Sequence, residues 1–422
     1  MACRHFLALI FVSVIAAKTP TTHESMWMMK RVGAPVPSPD GKWVLFTVQL
    51  PAYDENDQST DLWIVPADGS VKPRQLTFTK SAESGPTWSP DSRRIAFSAK
   101  REGDEASQIY LLDLAGGEAR RITSLALGAT APHLSPDGKW LMFTSQVYPG
   151  AADEESIRKT QAERRARKYR ARVYETFPIR HWDRWLEDLQ THIFVQPLEA
   201  GGKAKDLLAG TKLVAERGFG GVSTGTGEDL YATWAPDGRS VVFSATTNRV
   251  AAAYEKVITH LYQSLLDGGD IRQLTTGTDA SYTKPVFRPD GQALYALHQR
   301  EGAQTYSLSR LAMFGWPNPG KPVLITDSFD RSVVSFSFTP DSARVYLTAE
   351  DAGNEKLYTV GAVGGEVKTV VDLKLGCYSN LSLPDKASAP VLLANWESAV
   401  NPMEVVVIDP ITRGHRLLTD FN

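Results

Sequence analysis

The chain has 422 residues, of which 42% are hydrophobic and 22% charged, an ordinary globular composition with ample material for a large core. Its formal charge of −2 supplies no electrostatic case for nucleic acid or for an anionic membrane surface. Of the two cysteines, Cys3 falls in an N-terminal segment expected to be cleaved, which would leave only Cys377 and so no intramolecular disulfide and no thiolate metal site.

The first 17 residues differ from the rest. Arg4 supplies positive charge, residues 6–16 are almost continuously apolar, and Ala16 and Ala17 offer a small-residue cleavage site. A bilayer span needs about 20 apolar residues, so the run reads as an export signal rather than an anchor. The expectation is a signal peptide at 1–17, a mature domain at 18–422, a periplasmic or secreted location, and no membrane span after cleavage. Cys3 lies outside any lipid-attachment context.

From there a turn motif recurs seven times: Ser38-Pro39-Asp40-Gly41, Ser89-Pro90-Asp91-Ser92, Ser135-Pro136-Asp137-Gly138, Ala235-Pro236-Asp237-Gly238, Arg288-Pro289-Asp290-Gly291, Thr339-Pro340-Asp341-Ser342 and the weaker Leu383-Pro384-Asp385-Lys386. The prolines lie 51, 46, 100, 53, 51 and 44 residues apart, a period that signals a propeller or array. Proline presets φ for a type I turn, aspartate bonds its own backbone, and glycine or serine closes the turn. A short apolar run follows, as in Trp43-Val44-Leu45-Phe46 and Val241-Val242-Phe243, and a second comes roughly 12 to 20 residues later, as in Gln108-Ile109-Tyr110-Leu111-Leu112. Glycine turns then lead to closing segments such as Arg121-Ile122-Thr123 and Gln273-Leu274-Thr275. The expected fold is all-β: a propeller of four-stranded antiparallel blades, seven by count of the turns, with an eighth degenerate blade left open in the long third interval. The first blade owns an inner strand around residues 32–36 and the last ends at Arg416-Leu417-Leu418-Thr419, so closure rests on packing rather than on an exchanged strand.

The 100-residue interval holds an insertion at about 147–190. Over 156–177 the apolar positions Ile157, Ala162, Ala166, Tyr169, Val173 and Phe177 follow helical spacing, with arginine and lysine between them. Asp153 or Ser156 would cap this helix, and Glu154 and Glu155 suit the positive end of its dipole. A basic amphipathic helix suits a solvated face, a partner or a membrane surface. The following Arg180-His181-Trp182-Asp183-Arg184-Trp185 concentrates the residue types of a binding surface, with a structural staple of the insertion to its blade as the alternative.

Further on, Gly221-Val222-Ser223-Thr224-Gly225 matches a nucleophile elbow in letters only, because no strand precedes it and no helix follows. The eight histidines form no metal-ligand spacing, phosphate loops are absent, and Asp54-Glu55-Asn56-Asp57 is only loosely like a calcium loop. No metal and no cofactor is expected.

The repeated Ser-Pro-Asp-Gly-x-Trp/Ile-x-x-Phe with its closing Arg-x-Leu/Ile-Thr resembles the propeller of the prolyl oligopeptidase family of serine peptidases, and also that of TolB. The insertion through Arg180-His181-Trp182-Asp183-x-Trp185 and the terminal Leu417-Leu418-Thr419-Asp420-Phe421-Asn422 resemble the acylaminoacyl peptidase and dipeptidyl peptidase V branch. The resemblance covers essentially the whole mature chain. It implies a C-terminal α/β-hydrolase domain as partner, carrying serine, aspartate and histidine and missing from this sequence, so the chain alone is expected to be inactive. It further implies a peptide substrate, a propeller that covers the active site, and acidic propeller residues that pair with the substrate amino terminus. Glu154 and Glu155 are the candidates for that pairing, with Arg180, His181, Trp182 and Trp185 as candidate peptide contacts and no catalytic residue in the chain. A homo-oligomer is left open. The alternative is a TolB-like interaction module of the cell envelope; a carbohydrate-binding propeller would need a shared aromatic and polar set that the repeats lack.

Overall fold

The computed structural model describes residues 20–422 except 170, 175, 176, 225, 226 and 305. The expected signal peptide and the side chain of His181 lie outside the described residues. Within them the strands form antiparallel groups of four, for example Glu83–Trp88, Arg94–Ala99, Gln108–Asp113 and Arg120–Arg121, hydrogen-bonded in chain order. Seven such groups follow one another among the described residues, and the last two also share one parallel pair, Glu355↔Cys377. The architecture is the expected all-β propeller, consistent with seven blades. In the first blade the inner strand is split: Arg31–Val32 pairs with Val48 and Gln49, and Val36–Pro37 with Val44 and Leu45. Pro35 between them has no N–H to offer a ladder.

The turn motif carries its own bonds. Ser38 Oγ donates to Asp40 Oδ1 at 2.6 Å and accepts from the Trp43 N–H at 3.0 Å, Asp40 accepts from the Lys42 N–H at 3.1 Å, and the Gly41 N–H closes on the Ser38 carbonyl at 2.8 Å. Ser135 and Thr339 repeat this set, and the hydroxyl-bearing residues are buried. The fourth position is left-handed, with φ 72° at Gly41 and 60° at Ser92. Glycine adopts that conformation freely, whereas serine does so at a cost.

The closing Leu/Ile-Thr pair also has a cause. Just after the outer strand of each of these blades, Leu76, Ile122, Leu274, Ile325 and Leu418 donate their N–H to the carbonyls of Leu62, Ile109, Leu261, Leu311 and Val405. The next residue, a buried threonine, accepts the N–H of that same third-strand residue, at 2.9 Å for Thr77 and 2.8 Å for Thr123 and Thr419. The motif thus satisfies the backbone where the outer strand runs out.

The core is distributed. Seven apolar clusters lie among the described residues, and each joins two successive blades: Leu45 and Ile64 with Ile95 and Phe97, Phe143 with Ala96 and Ile109, and so on around the ring. The cluster of Val44, Phe46, Val48, Val65, Leu393 and Val405 joins the first blade to the last. Among the described residues no strand is exchanged at that joint. Instead Lys30 and Asn422 bond each other twice, at 2.8 and 3.1 Å, and Asn395 reaches the Gly33 carbonyl at 3.1 Å. Phe421 sets its ring edge-on to Trp63 at 5.0 Å and Phe46 at 6.1 Å, while Glu404 accepts from the Phe421 N–H at 2.7 Å. The seventh turn gives up the internal bonds of the other six, and its Lys386 N–H donates to the Pro39 carbonyl of the first turn at 3.0 Å.

Because strands alternate in direction, all these turns fall on one face. The opposite face carries the second-to-third strand connections, the Lys30–Asn422 pair and the insertion. The insertion leaves its blade undisturbed, since Trp140–Val147 and Gln190–Pro197 pair residue for residue from Trp140↔Pro197 to Val147↔Gln190.

Candidate functional site

The insertion begins with a helix, Glu154–Arg165. Asp153 caps it, accepting from the Ser156 N–H at 2.8 Å, and Ser156 returns the bond by accepting the Asp153 N–H at 3.2 Å, a reciprocal cap. That bond holds the Asp153 carboxyl below its usual range. Glu154 accepts from the Ala126 N–H at 2.7 Å and pairs with Arg158 at 2.9 Å; burial nevertheless pushes its carboxyl above the usual range. Ile157, 6% exposed, enters the cluster of Leu125, Ala126, Val147 and Tyr148. At the other end Arg164 grips Asp188 through two bonds of 2.6 Å and lies 4.3 Å over the Tyr148 ring. The Arg164 bonds hold the Asp188 carboxyl low. A two-bond fork of this kind fixes orientation as well as distance.

The helix ends twelve residues short of the expected Phe177. Its apolar spacing continues, but the packing surface does not: Tyr169 is 62% and Val173 84% exposed. Successive cations at 164, 165, 167, 168 and 172 also repel one another at helical spacing. Beyond Ala166 the described residues are irregular up to a small hairpin, Arg180–His181 with Arg184–Trp185, registered Arg180↔Trp185. Trp182 stands at its turn with φ 53° and is 85% exposed. Arg180 lies 5.9 Å over the Trp185 ring, Tyr174 packs 6.2 Å from that ring, and the Tyr174 hydroxyl donates to the Leu186 carbonyl at 2.9 Å.

The six candidate residues therefore fall into two groups. Glu154 is committed to the helix root and Glu155 is an exposed first-turn residue; Arg180, Trp182 and Trp185 belong to the hairpin. Among the described residues no hydrogen bond or ion pair joins the groups. Trp182 and Trp185 do not staple the insertion to its blade; Ile157 and the Arg164–Asp188 fork do that. The Gly-x-Ser-x-Gly letters fall on a β-hairpin, with Val222–Thr224 paired to Gly227–Asp229 and Ser223 opposite Glu228, a context unlike the strand–helix turn of a nucleophile elbow.

One set of residues escaped the sequence. Inner strands bulge at a left-handed residue, φ 57° at Gly85, 51° at Ala131, 52° at Lys284 and 53° at Asn380, each beside a shift of register. Such bulges re-aim side chains. Lys284 thereby sits 5.8 Å over the ring of Tyr231, whose N–H donates to Asp229 at 2.7 Å. These residues line the inner wall, and the only local signal was the segment preceding each Pro-Asp turn.

Comparison with known proteins agrees with this geometry. The model of the TolB β-propeller domain matches residues 8–167. Dipeptidyl-peptidase 5 of Porphyromonas gingivalis is 26% identical over 95% of this chain and 56% of its own length, and that of Porphyromonas endodontalis is 30% identical over 67% and 39%. The chain thus spans about half the length of the curated relatives it matches. Among solved structures it resembles the acylaminoacyl peptidase of Pyrococcus horikoshii (TM-score 0.66, 17% identity, 94% of this chain and 54% of that one). It also resembles the β-propeller domain of the Trilobed protease from Pyrococcus furiosus (TM-score 0.60, 15% identity, 93% and 99%), which has an open velcro topology.

Proposed function

Taking this chain as a TolB-type propeller of the kind carried by prolyl oligopeptidase-type peptidases, we propose that it is the substrate-gating portion of an exported serine peptidase acting on short peptides. The supporting observation is the similarity to dipeptidyl-peptidase 5 across 95% of the chain, a span that takes in the insertion. The described residues build blades and one insertion, and the serine chemistry belongs to an α/β-hydrolase partner domain. In such an assembly the propeller excludes folded proteins by size and leaves the hydrolase only peptides that pass it.

Fusing residues 20–422 ahead of the hydrolase half of the Porphyromonas gingivalis relative tests this. Cleavage of chromogenic dipeptidyl substrates, with a folded protein of the same cleavable sequence left intact, is the expected outcome. The chain by itself should release no chromophore, and serine-dependent turnover by the unfused chain overturns the proposal. The TolB match favours a second reading, an interaction module of the cell envelope. A fusion that cleaves folded and short substrates alike supports that reading instead.

A further inference from the structure

We propose that the insertion is a peripheral membrane anchor, which seats the Trp182 hairpin among the headgroups of an anionic lipid surface. Between Ser156 and Trp185 there are ten lysines and arginines against three aspartates and glutamates, a net +7, while Asp153, Glu154, Glu155, Glu187 and Asp188 sit at the root, so that the insertion over 147–190 carries +2 and the rest of the chain −4. The near-zero total conceals this separation. Ion pairs at the root of the insertion use Arg158, Arg164 and Arg172, on Glu154, Asp188 and Glu187. Lys159, Arg165, Lys168 and Arg184 carry no ion pair among the described residues.

Beside these cations stand exposed apolar side chains: Val173 and Trp182 almost fully, Phe177 and Ile179 in part. They occupy a hairpin and an irregular segment rather than a cleft, so they suit a medium that yields around a projection better than a ligand that needs a pocket. Indole rings flanked by arginine match the headgroup region, where an apolar body and a polar rim are both satisfied. Cations near an anionic leaflet add attraction that salt screens. The acids of the insertion lie at its root and the rest of the chain is −4, so an anionic surface attracts the stretch beyond the root and makes it the point of contact. The root fixed by Ile157 and Arg164–Asp188 carries the anchoring force to the blade. This inference is independent of the peptidase reading.

Co-sedimentation of the full chain with vesicles of phosphatidylcholine alone, or with about 30% phosphatidylglycerol, is the test. Binding to the anionic vesicles only is expected, weakened in about 0.5 M salt. Trp182→Ala with Trp185→Ala should lower the affinity about tenfold, and Arg165→Glu with Lys168→Glu should abolish binding, while the melting temperature stays unchanged. Brominated lipid should quench the intrinsic fluorescence less in Trp182→Phe than in the parent. Equal binding to both vesicle types, no binding, or binding indifferent to the tryptophan substitutions overturns the proposal. So does a concentration-dependent dimer that the same substitutions dissociate without lipid, which would give the surface to a second copy.

Discussion

Ser92 and Ser342 hold left-handed backbone, φ 60° and 61°, where four other turns use glycine. Each has a non-local reason: the Ser92 hydroxyl accepts the Asp40 N–H at 3.2 Å and that of Ser342 accepts the Asp290 N–H at 3.0 Å, so each ties its turn to the turn of the preceding blade. Ser92→Ala keeps the strain and loses the bond, and should cost about 1 kcal/mol in urea unfolding; Ser92→Gly trades bond for relief and should lie near zero. Equal losses in the two variants would show that the bond carries the whole effect. A second residue-scale test concerns Asp61 and Glu83, buried together where the first blade meets the second. Thr77 donates to Glu83, Arg101 lies 3.5 Å from it, and Asp61 Oδ1 has no partner among the described residues. Burial raises both carboxyls, and Asp61 adds to the rise at Glu83. A raised acid stabilises the fold while protonated, so the contribution is present below about pH 4 and is lost as pH rises through the folded values. Asp61→Asn should therefore raise the melting temperature at pH 7 and lose most of that gain at about pH 4; an equal shift at both would exclude the charge as its cause. The local bonds of Ser38 and Asp40 were legible in four letters, because donor and acceptor lie within five residues. The Ser92–Asp40 bond spans 52 residues and left no pattern to read.

At the scale of the element, the start of the insertion helix was legible and its end was not. Asp153 and Ser156 announce a cap by chemistry that is entirely local, whereas the stop after Arg165 depends on where the neighbouring surface ends. Periodicity shows which face could pack; it does not show whether anything faces it. The hairpin behind it was legible only as composition, and the exposure of Trp182 follows from a positive φ that the letters do not reveal. Ile157, the Arg164–Asp188 fork and the Glu154 bond to the Ala126 N–H hold the helix down. Ile157→Ala should weaken its docking by about 2–4 kcal/mol, and Arg164→Ala should cut the fork to Asp188. Both should speed tryptic cleavage within 165–184 with little change in the melting temperature, because the blade ladder from Trp140↔Pro197 to Val147↔Gln190 is left whole. A cooperative loss of the whole propeller instead would show that the insertion belongs to its core.

Across the whole molecule, repetition made the architecture legible, since each turn restates the same instruction and each Leu/Ile-Thr ends the same blade. What closes the ring is not repeated, and so could only be inferred by counting strands. The joint rests on the cluster around Phe46 and Leu393 and on the contacts of Phe421. Phe421→Ala should cost about 3 kcal/mol in urea unfolding, against under about 0.5 for Ile411→Ala, an exposed side chain in a last-blade turn. A Phe421 variant as stable as the parent would place the closure elsewhere. The pair of hydrogen bonds between Lys30 and Asn422 also gives the ring a mechanical character. Tension applied through those two residues falls on a single joint, where it meets side-chain contacts and isolated hydrogen bonds that can break in succession. The other six joints carry none of that load until the first has opened, so under force the propeller behaves as a clasp rather than as a hoop.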